Sequence, residues 1–363
     1  MLDAKNEKIL MIGAGAVIGC IAAVLVLFGN PANMGFCIAC FIRDSAGALG
    51  FHSAAAVQYL RPEIIGIILG SFLLSLFRGE FRPRGGSAPM TRFLLGFAVM
   101  IGCLMFLGGP FRMILRLAGG DLNAVPALIG FVGGILLGVV FLNKGYSLKR
   151  TYSQKKPEGK MISVIAVFLL AILLFFPSLL KFSEEGAGPG AKHAAIVVSL
   201  AAGLAVGALA QRTRLCMAGG FRDAFLFKEF TLLSGFGAIF VTALVVNLIL
   251  TGVTPGTYFK LGMAEQPVAH TDMIWNCLGM VLAGLGSVLL GGCPLRQLVM
   301  AGEGNTDSAV TVLGYFMGAA FAHNFGLASS GKGPTSAGMI AVIIGLLVVV
   351  CIAWLNLKGN EKA

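Results

Sequence analysis

The sequence predicts an all-α polytopic membrane protein, with about ten transmembrane helices plus four short re-entrant half-helices in two inverted pseudo-twofold repeats. Three observations carry that expectation. Of 363 residues, 57% are hydrophobic and only 12% charged, half the charge load of a soluble domain. Apolar runs of membrane-spanning length recur along the whole chain. The stretch GFCIACFIRD at 35–44 also has a distant counterpart, RLCMAGGFRD, at 214–223.

Taken in order, the spans fall near 8–29, 61–78, 91–108, 123–143, 161–181, 193–210, 232–251, 273–291, 308–326 and 336–357. The first run, Ile9 to Phe28, is too long for a signal-peptide apolar region and lacks a small-residue cleavage site, so it reads as a retained span. Four stretches, about 32–50, 109–120, 211–226 and 292–304, are too short or too broken to cross. Each mixes Cys, Pro or Gly with Arg, the make-up of a half-helix that enters the membrane and returns. The 51 glycines suit helices packed backbone to backbone.

Charge sets the orientation. The net charge of +11 resides mostly in loops between spans, which points to the membrane surface and away from nucleic acid. Lys5, Lys8, Arg78, Arg82, Arg84, Arg92, the run Lys144 to Lys160, Lys358 and Lys362 all fall on one side. The opposite loops hold Glu184, Glu185, Glu265 and Asp272. The asymmetry agrees with ten spans and with both termini cytoplasmic.

The repeat appears when the chain is slid along itself. At an offset of 179, Cys37, Ala39, Arg43 and Asp44 fall on Cys216, Ala218, Arg222 and Asp223. At an offset of 184, Gly102, Gly108, Pro110, Arg112, Gly120, Gly130 and Gly134 fall on Gly286, Gly292, Pro294, Arg296, Gly304, Gly314 and Gly318. The expected layout is a first repeat over 1–143, a basic loop and linking span over 144–192, a second repeat over 193–326, and a final span and tail over 327–363. Five spans separate equivalent elements, an odd number, so the second copy is inverted. Inverted repeats with broken helices meeting near the midplane characterise transporters.

The candidate chemistry lies on the half-helices. Arg43-Asp44 and Arg222-Asp223 read either as buried ion pairs fixing a bend or as a positive field drawing anions to a pore mouth. Cys37 and Cys216 read either as small fillers or as soft, polarisable groups suited to a sulfur- or selenium-bearing anion. In Gly291-Gly292-Cys293-Pro294-Leu295-Arg296, Pro294 suits the first turn of a helix, which places the Cys293 thiol at an anion-favouring N-terminus. The first-half counterpart, Gly108-Gly109-Pro110-Phe111-Arg112, keeps the backbone logic with Gly109 in place of the thiol. Cys37 and Cys40 form a CxxC without a second such pair, which argues against a zinc site, while a helical i, i+3 spacing would put both thiols on one face, enough for occasional disulfide exchange. Most of the eight cysteines lie in or beside apolar runs, so free thiols are expected. Cys103, aligned with Ser287, reads as small-residue packing, and His323-Asn324 as a proton relay or polar glue. No phosphate-binding loop is present, and GAGAVIG at 13–19 follows no strand, so ATP and dinucleotide chemistry are excluded and no cofactor or metal is expected.

On GFCIACFIRD, FLGGPFRMILRLAGGD, RLCMAGGFRD and GGCPLRQLVMAGEGN, the chain resembles the YeeE/YedE family of TsuA-like thiosulfate transporters, most closely its selenium-metabolism YedE branch. The resemblance implies cysteines spaced along a narrow path that pass an anion by hydrogen bonds to its sulfur. It gives Cys37 the outward position, Cys293 the central or inner one, and Cys216 the inner half-helix. The intermediate thiol is Gly109 here, so the relay is incomplete or passes to Cys103 or Cys40. The family also suggests a small cytosolic sulfurtransferase-like (TusA/SirA-like) partner. The expected function is non-enzymatic uptake of a small sulfur or selenium anion. The alternatives are a membrane sulfur-transfer or thiol redox protein forming a persulfide, and a passive channel.

Overall fold

The computed structural model describes residues 4–254 and 256–357. Lys358 and Lys362, counted above in the charge asymmetry, lie outside the described residues. Ten long helices form: α1 (Ala4–Leu27), α3 (Pro62–Phe77), α4 (Pro89–Phe106), α6 (Ala124–Asn143), α7 (Lys156–Phe175), α8 (Ile196–Thr213), α10 (Thr231–Val253), α11 (Met273–Leu289), α13 (Thr306–Asn324) and α14 (Ser336–Leu355). Four short ones complete the set: α2 (Ile38–Ala48), α5 (Pro110–Ala118), α9 (Met217–Phe227) and α12 (Pro294–Gly302). The protein is an all-α polytopic membrane protein. Among the described residues, nine helices are long and apolar enough to cross a membrane. The tenth long helix, α13, falls outside that group because Thr306, Asp307, Ser308, Thr311, His323 and Asn324 dilute its apolar content.

Glycine lines the long contacts, because a missing side chain lets backbones approach. Gly15 and Gly19 of α1 lie against Gly235 and Ile239 of α10, while Gly66 and Gly70 of α3 lie against Gly203 and Leu204 of α8. Residue numbers rise together in both cases, so each pair is parallel. Gly130 and Gly134 of α6 press on the backbones of Cys277 and Val281 of α11. Gly314 and Gly318 of α13 press on Phe93 and Phe97 of α4. These two contacts interchange when each residue is replaced by its partner 184 positions away. The packing is therefore reciprocal: α1 on α10 mirrors α8 on α3, and α6 on α11 mirrors α13 on α4.

Equivalent helices run in opposite directions. Gly102 of α4 meets Gly279 of α11, whereas Gly286 of α11 meets Val99 and Leu95 of α4. The end of α1 meets the start of α8, where Asn30 accepts from the Ala194 N–H at 2.9 Å. The half-helices follow suit. The end of α5 is held at the end of α10 by Asn247, whose amide donates to Ala118 O at 3.2 Å. The end of α12 is held near the start of α13 and the end of α3, with Arg82 N donating to Glu303 O at 3.0 Å. The two outliers are α7, which packs on α3 and α12, and α14, which covers α4 and α11. The basic loops meet at one end, where β1 (Arg84–Gly85) pairs antiparallel with β2 (Tyr152–Ser153).

Candidate functional site

Each half-helix begins with a residue in extended backbone. Cys37 caps α2 with φ −126° and ψ 97°, and its sulfur accepts from the Cys40 N–H at 3.2 Å. Cys216 caps α9 in the same way, accepting from the Gly219 N–H at 3.2 Å. Gly109 and Cys293 cap α5 and α12, and Pro110 and Pro294 occupy the first helical turn. At Cys37 and Cys216 the side chain satisfies an N–H group that the first turn leaves unpaired, whereas Gly109 and Cys293 make no such side-chain bond. The turn before α5 and α12 requires a left-handed residue in both halves. Gly291 supplies it at φ +80°, and Leu107 at φ +63°. Leu107 is the strained member; its carbonyl accepts from Arg112 Nη1, and the Cys40 sulfur lies 3.6 Å from it.

All four N-termini meet. Ile38 of α2, Gly109, Pro110 and Phe111 of α5, Met217 of α9, and Cys293, Pro294 and Leu295 of α12 line one cavity, closed on the side by Phe236. Its volume is about 10 Å³, the space one water needs. The site is thus a constriction in which the positive ends of four helix dipoles face one another. The Cys293 N–H donates to Cys216 Sγ at 3.4 Å, which joins the caps of α12 and α9. A Cβ on Gly109 would lie 3.7 Å from Cys103 Sγ and 3.4 Å from Ala39 Cβ, so Cys103 stands beside the missing thiol. Gly292 packs on the Arg296 stem.

The expectation of free thiols holds for six cysteines and is corrected for two. Cys37 and Cys40 form a disulfide with Cα atoms 5.3 Å apart. The physical reason is the cap itself: folding the Cys37 side chain onto the third helical residue brings it to the sulfur of that residue. Among the described residues, no group of three or more His, Cys, Asp or Glu could hold a metal ion.

The arginines hold the frame. Asp44 is fully buried between Arg43 at 2.6 Å and Arg61 at 2.8 Å. The Arg61 guanidinium also lies over the Phe41 ring, 4.5 Å from its centroid. Arg222 pairs with Asp223 at 2.8 Å, and both reach solvent. Arg112, fully buried, donates to the carbonyls of Asn33, Leu107, Pro267 and Val268. Its counterpart Arg296 pairs with Glu303 at 2.9 Å. None of these eight charged residues lines the cavity. His323 stacks on His52, with ring centroids 4.7 Å apart, and Asn324 donates to Phe51 O at 2.8 Å.

One residue escaped the sequence reading. Tyr315 of α13 is fully buried, and its hydroxyl has no hydrogen-bond partner among the described residues. The available signal was its repeat partner at an offset of 184, which is Phe131.

Residues 212–358 match the family model described as Sulphur transport. The resemblance is to the YeeE/YedE family. The chain is 32% identical over 124 residues to the thiosulfate transporter TsuA of Spirochaeta thermophila, covering 34% of this chain and 35% of that protein. It is 28% identical over 122 residues to TsuA of Escherichia coli, covering 34% of this chain and 32% of that one. The match spans about a third of the length of either relative.

Proposed function

We propose that this protein carries a small sulfur-bearing anion of the thiosulfate class across the bacterial inner membrane, without enzymatic turnover. The observation that carries the reading is the meeting of four half-helix N-termini, with the caps Cys293 and Gly109, on one constriction. Unpaired N–H groups and helix dipoles favour an anion's oxygens there. Thiols are soft, weak donors that suit its sulfur. The named activity of the two relatives supports the same substrate class.

The anion enters past Cys37 on the side of α2 and α5 and leaves past Cys293 and Cys216 on the side of α9 and α12. Cys40 and Cys103 flank the place that Gly109 leaves open. The buried Arg43, Arg61 and Asp44 cluster leaves a net positive charge near the entrance, and Arg222 with Asp223 lies by the exit. The two repeats are residues 1–143 and 193–326, both termini are cytoplasmic, and selenium analogues compete for the same path. A small cytosolic sulfurtransferase-like protein receives the cargo.

The test is uptake of labelled thiosulfate into liposomes holding the full chain, with sulfate, selenite and selenosulfate as competitors. Cys293→Ala should lower uptake tenfold or more, the loss of a hydrogen bond to a charged group, and a Cys37→Ala Cys40→Ala pair should do the same under reducing conditions, where Cys37 carries a thiol. Parent-like uptake by both variants, properly inserted, or stronger competition by sulfate than by thiosulfate, refutes the thiol path.

The Cys37–Cys40 disulfide favours a second reading, a sulfur-transfer protein. In it, the outer sulfur of thiosulfate attacks one sulfur of that disulfide, forming a new S–S bond to it and expelling the other cysteine as a thiolate. Label from the outer sulfur that stays on the denatured protein and leaves with a thiol reductant would establish it.

A further inference from the structure

We infer that Tyr315 is a substrate-binding residue whose hydroxyl donates a hydrogen bond to an oxygen of the passing anion while the surrounding thiols contact its sulfur; this rests on the transport reading above. Three observations point to it. The hydroxyl is wholly buried and without a partner among the described residues. Cys103 of α4 and the caps Cys293 and Cys216 lie in its neighbourhood, though none is close enough to bond to the hydroxyl. Its helix packs on α12, α4 and α2. The hydroxyl therefore stands behind the constriction, whose lining includes Cys293 but not Tyr315, near sulfur groups of both repeats.

A partnerless buried hydroxyl costs free energy, and phenylalanine would fill the same space without that cost. The fold uses phenylalanine at the equivalent position of the first repeat, where Phe131 is equally buried and meets Phe221 edge to face, with centroids 6.3 Å apart. A phenol at 315 thus departs from the repeat only by an added donor. The thiols supply weak donors for the sulfur end of a thiosulfate-like anion, and the phenol supplies a strong one for an oxygen. A donor that meets its acceptor only in the loaded state is a recurring feature of polar ligand sites.

The test is Tyr315→Phe in the full chain, purified and reconstituted beside the parent. Thiosulfate uptake should show KM raised roughly tenfold or more, the size expected for a lost hydrogen bond to a charged group. The substrate-free Tm should be unchanged or higher, and the Tm rise that thiosulfate gives the parent should shrink. A purely structural role would lower the substrate-free Tm and leave KM within twofold, and either result overturns the assignment. A parent that neither takes up nor is stabilised by thiosulfate sinks the transport reading itself, whereas an active parent with a parent-like variant sinks only the role of Tyr315.

Discussion

The two repeats share a backbone and differ in where they keep sulfur and charge. In the first, the capping sulfur of Cys37 is joined to Cys40 on the same half-helix. In the second, Cys216 and Cys293 cap two different half-helices, linked by a 3.4 Å N–H to sulfur contact. The first repeat locks its half-helices with the buried Arg43, Arg61, Arg112 and Arg116. The second uses pairs that reach solvent, Arg222 with Asp223 and Arg296 with Glu303. Helix starts, left-handed turns and glycine contacts are needed on both faces of a pseudo-twofold fold, so they recur. Side-chain chemistry at the caps is needed once per position along the path, so it diverges.

The largest contrast should come from the two aspartates. Asp44→Ala leaves two guanidinium groups without their carboxylate in a dry interior and should cost about 3–5 kcal/mol. Asp223→Ala, in a pair with side chains 31% and 19% exposed, should cost under about 1 kcal/mol. Thermal unfolding of the purified variants measures both, and equal losses would erase the distinction between a locked and a looser half.

The glycine contacts test the other side of the comparison. Gly134→Ala and Gly318→Ala each push a Cβ into the backbone of the facing helix, Val281 in one case and Phe97 in the other. Each should cost about 1–3 kcal/mol, and by matching amounts. A large effect from only one would show that the reciprocal packing is not energetically equivalent.

Adding sulfur to the first half should cost little. Gly109 has φ −86°, open to any residue, and its new Cβ would sit at ordinary contact distance from Ala39 and Cys103. Gly109→Cys should change stability by less than about 1 kcal/mol and should cross-link to Cys103 under mild oxidation, read by mass spectrometry of the peptides. Failure to cross-link would place the Cys103 thiol away from the cap.

The smallest effect concerns pH. His270, in the loop before α11, is held below its usual pKa by burial, against a smaller opposing pull from the Met105 carbonyl. Its folded-state pKa is depressed, so its contribution to stability is complete above about pH 6.5 and is lost as pH falls below that value. The Tm of the parent should drop modestly from pH 7 to pH 5, and that part of the drop should vanish in His270→Gln. A Tm drop unchanged by the substitution would assign it elsewhere.

All ten long helices and four short ones overlap the stretches where apolar runs, Gly-Pro breaks and Cys-x5-Arg-Asp place them, with ends displaced by up to about six residues, as in α2, α7 and α9. Those signals are local: hydrophobic length sets a span, proline sets a first turn, and a left-handed glycine ends a helix. The cap roles of Cys37 and Cys216 were less visible, since cysteine is a rare capping residue. Tyr315 lay hidden in an ordinary span, because a hydroxyl shows itself only when its surroundings withhold a partner.

By itself the sequence determined that the chain lives in a membrane, where it breaks its helices, and that it repeats with reversed sense. Each of these follows from composition and spacing along one dimension. Only the tertiary structure decided which sulfurs meet: Cys37 with Cys40, Cys216 with Cys293, and Cys103 beside Gly109. Those pairings depend on how distant helices cross, and crossing is fixed by the fit of whole surfaces.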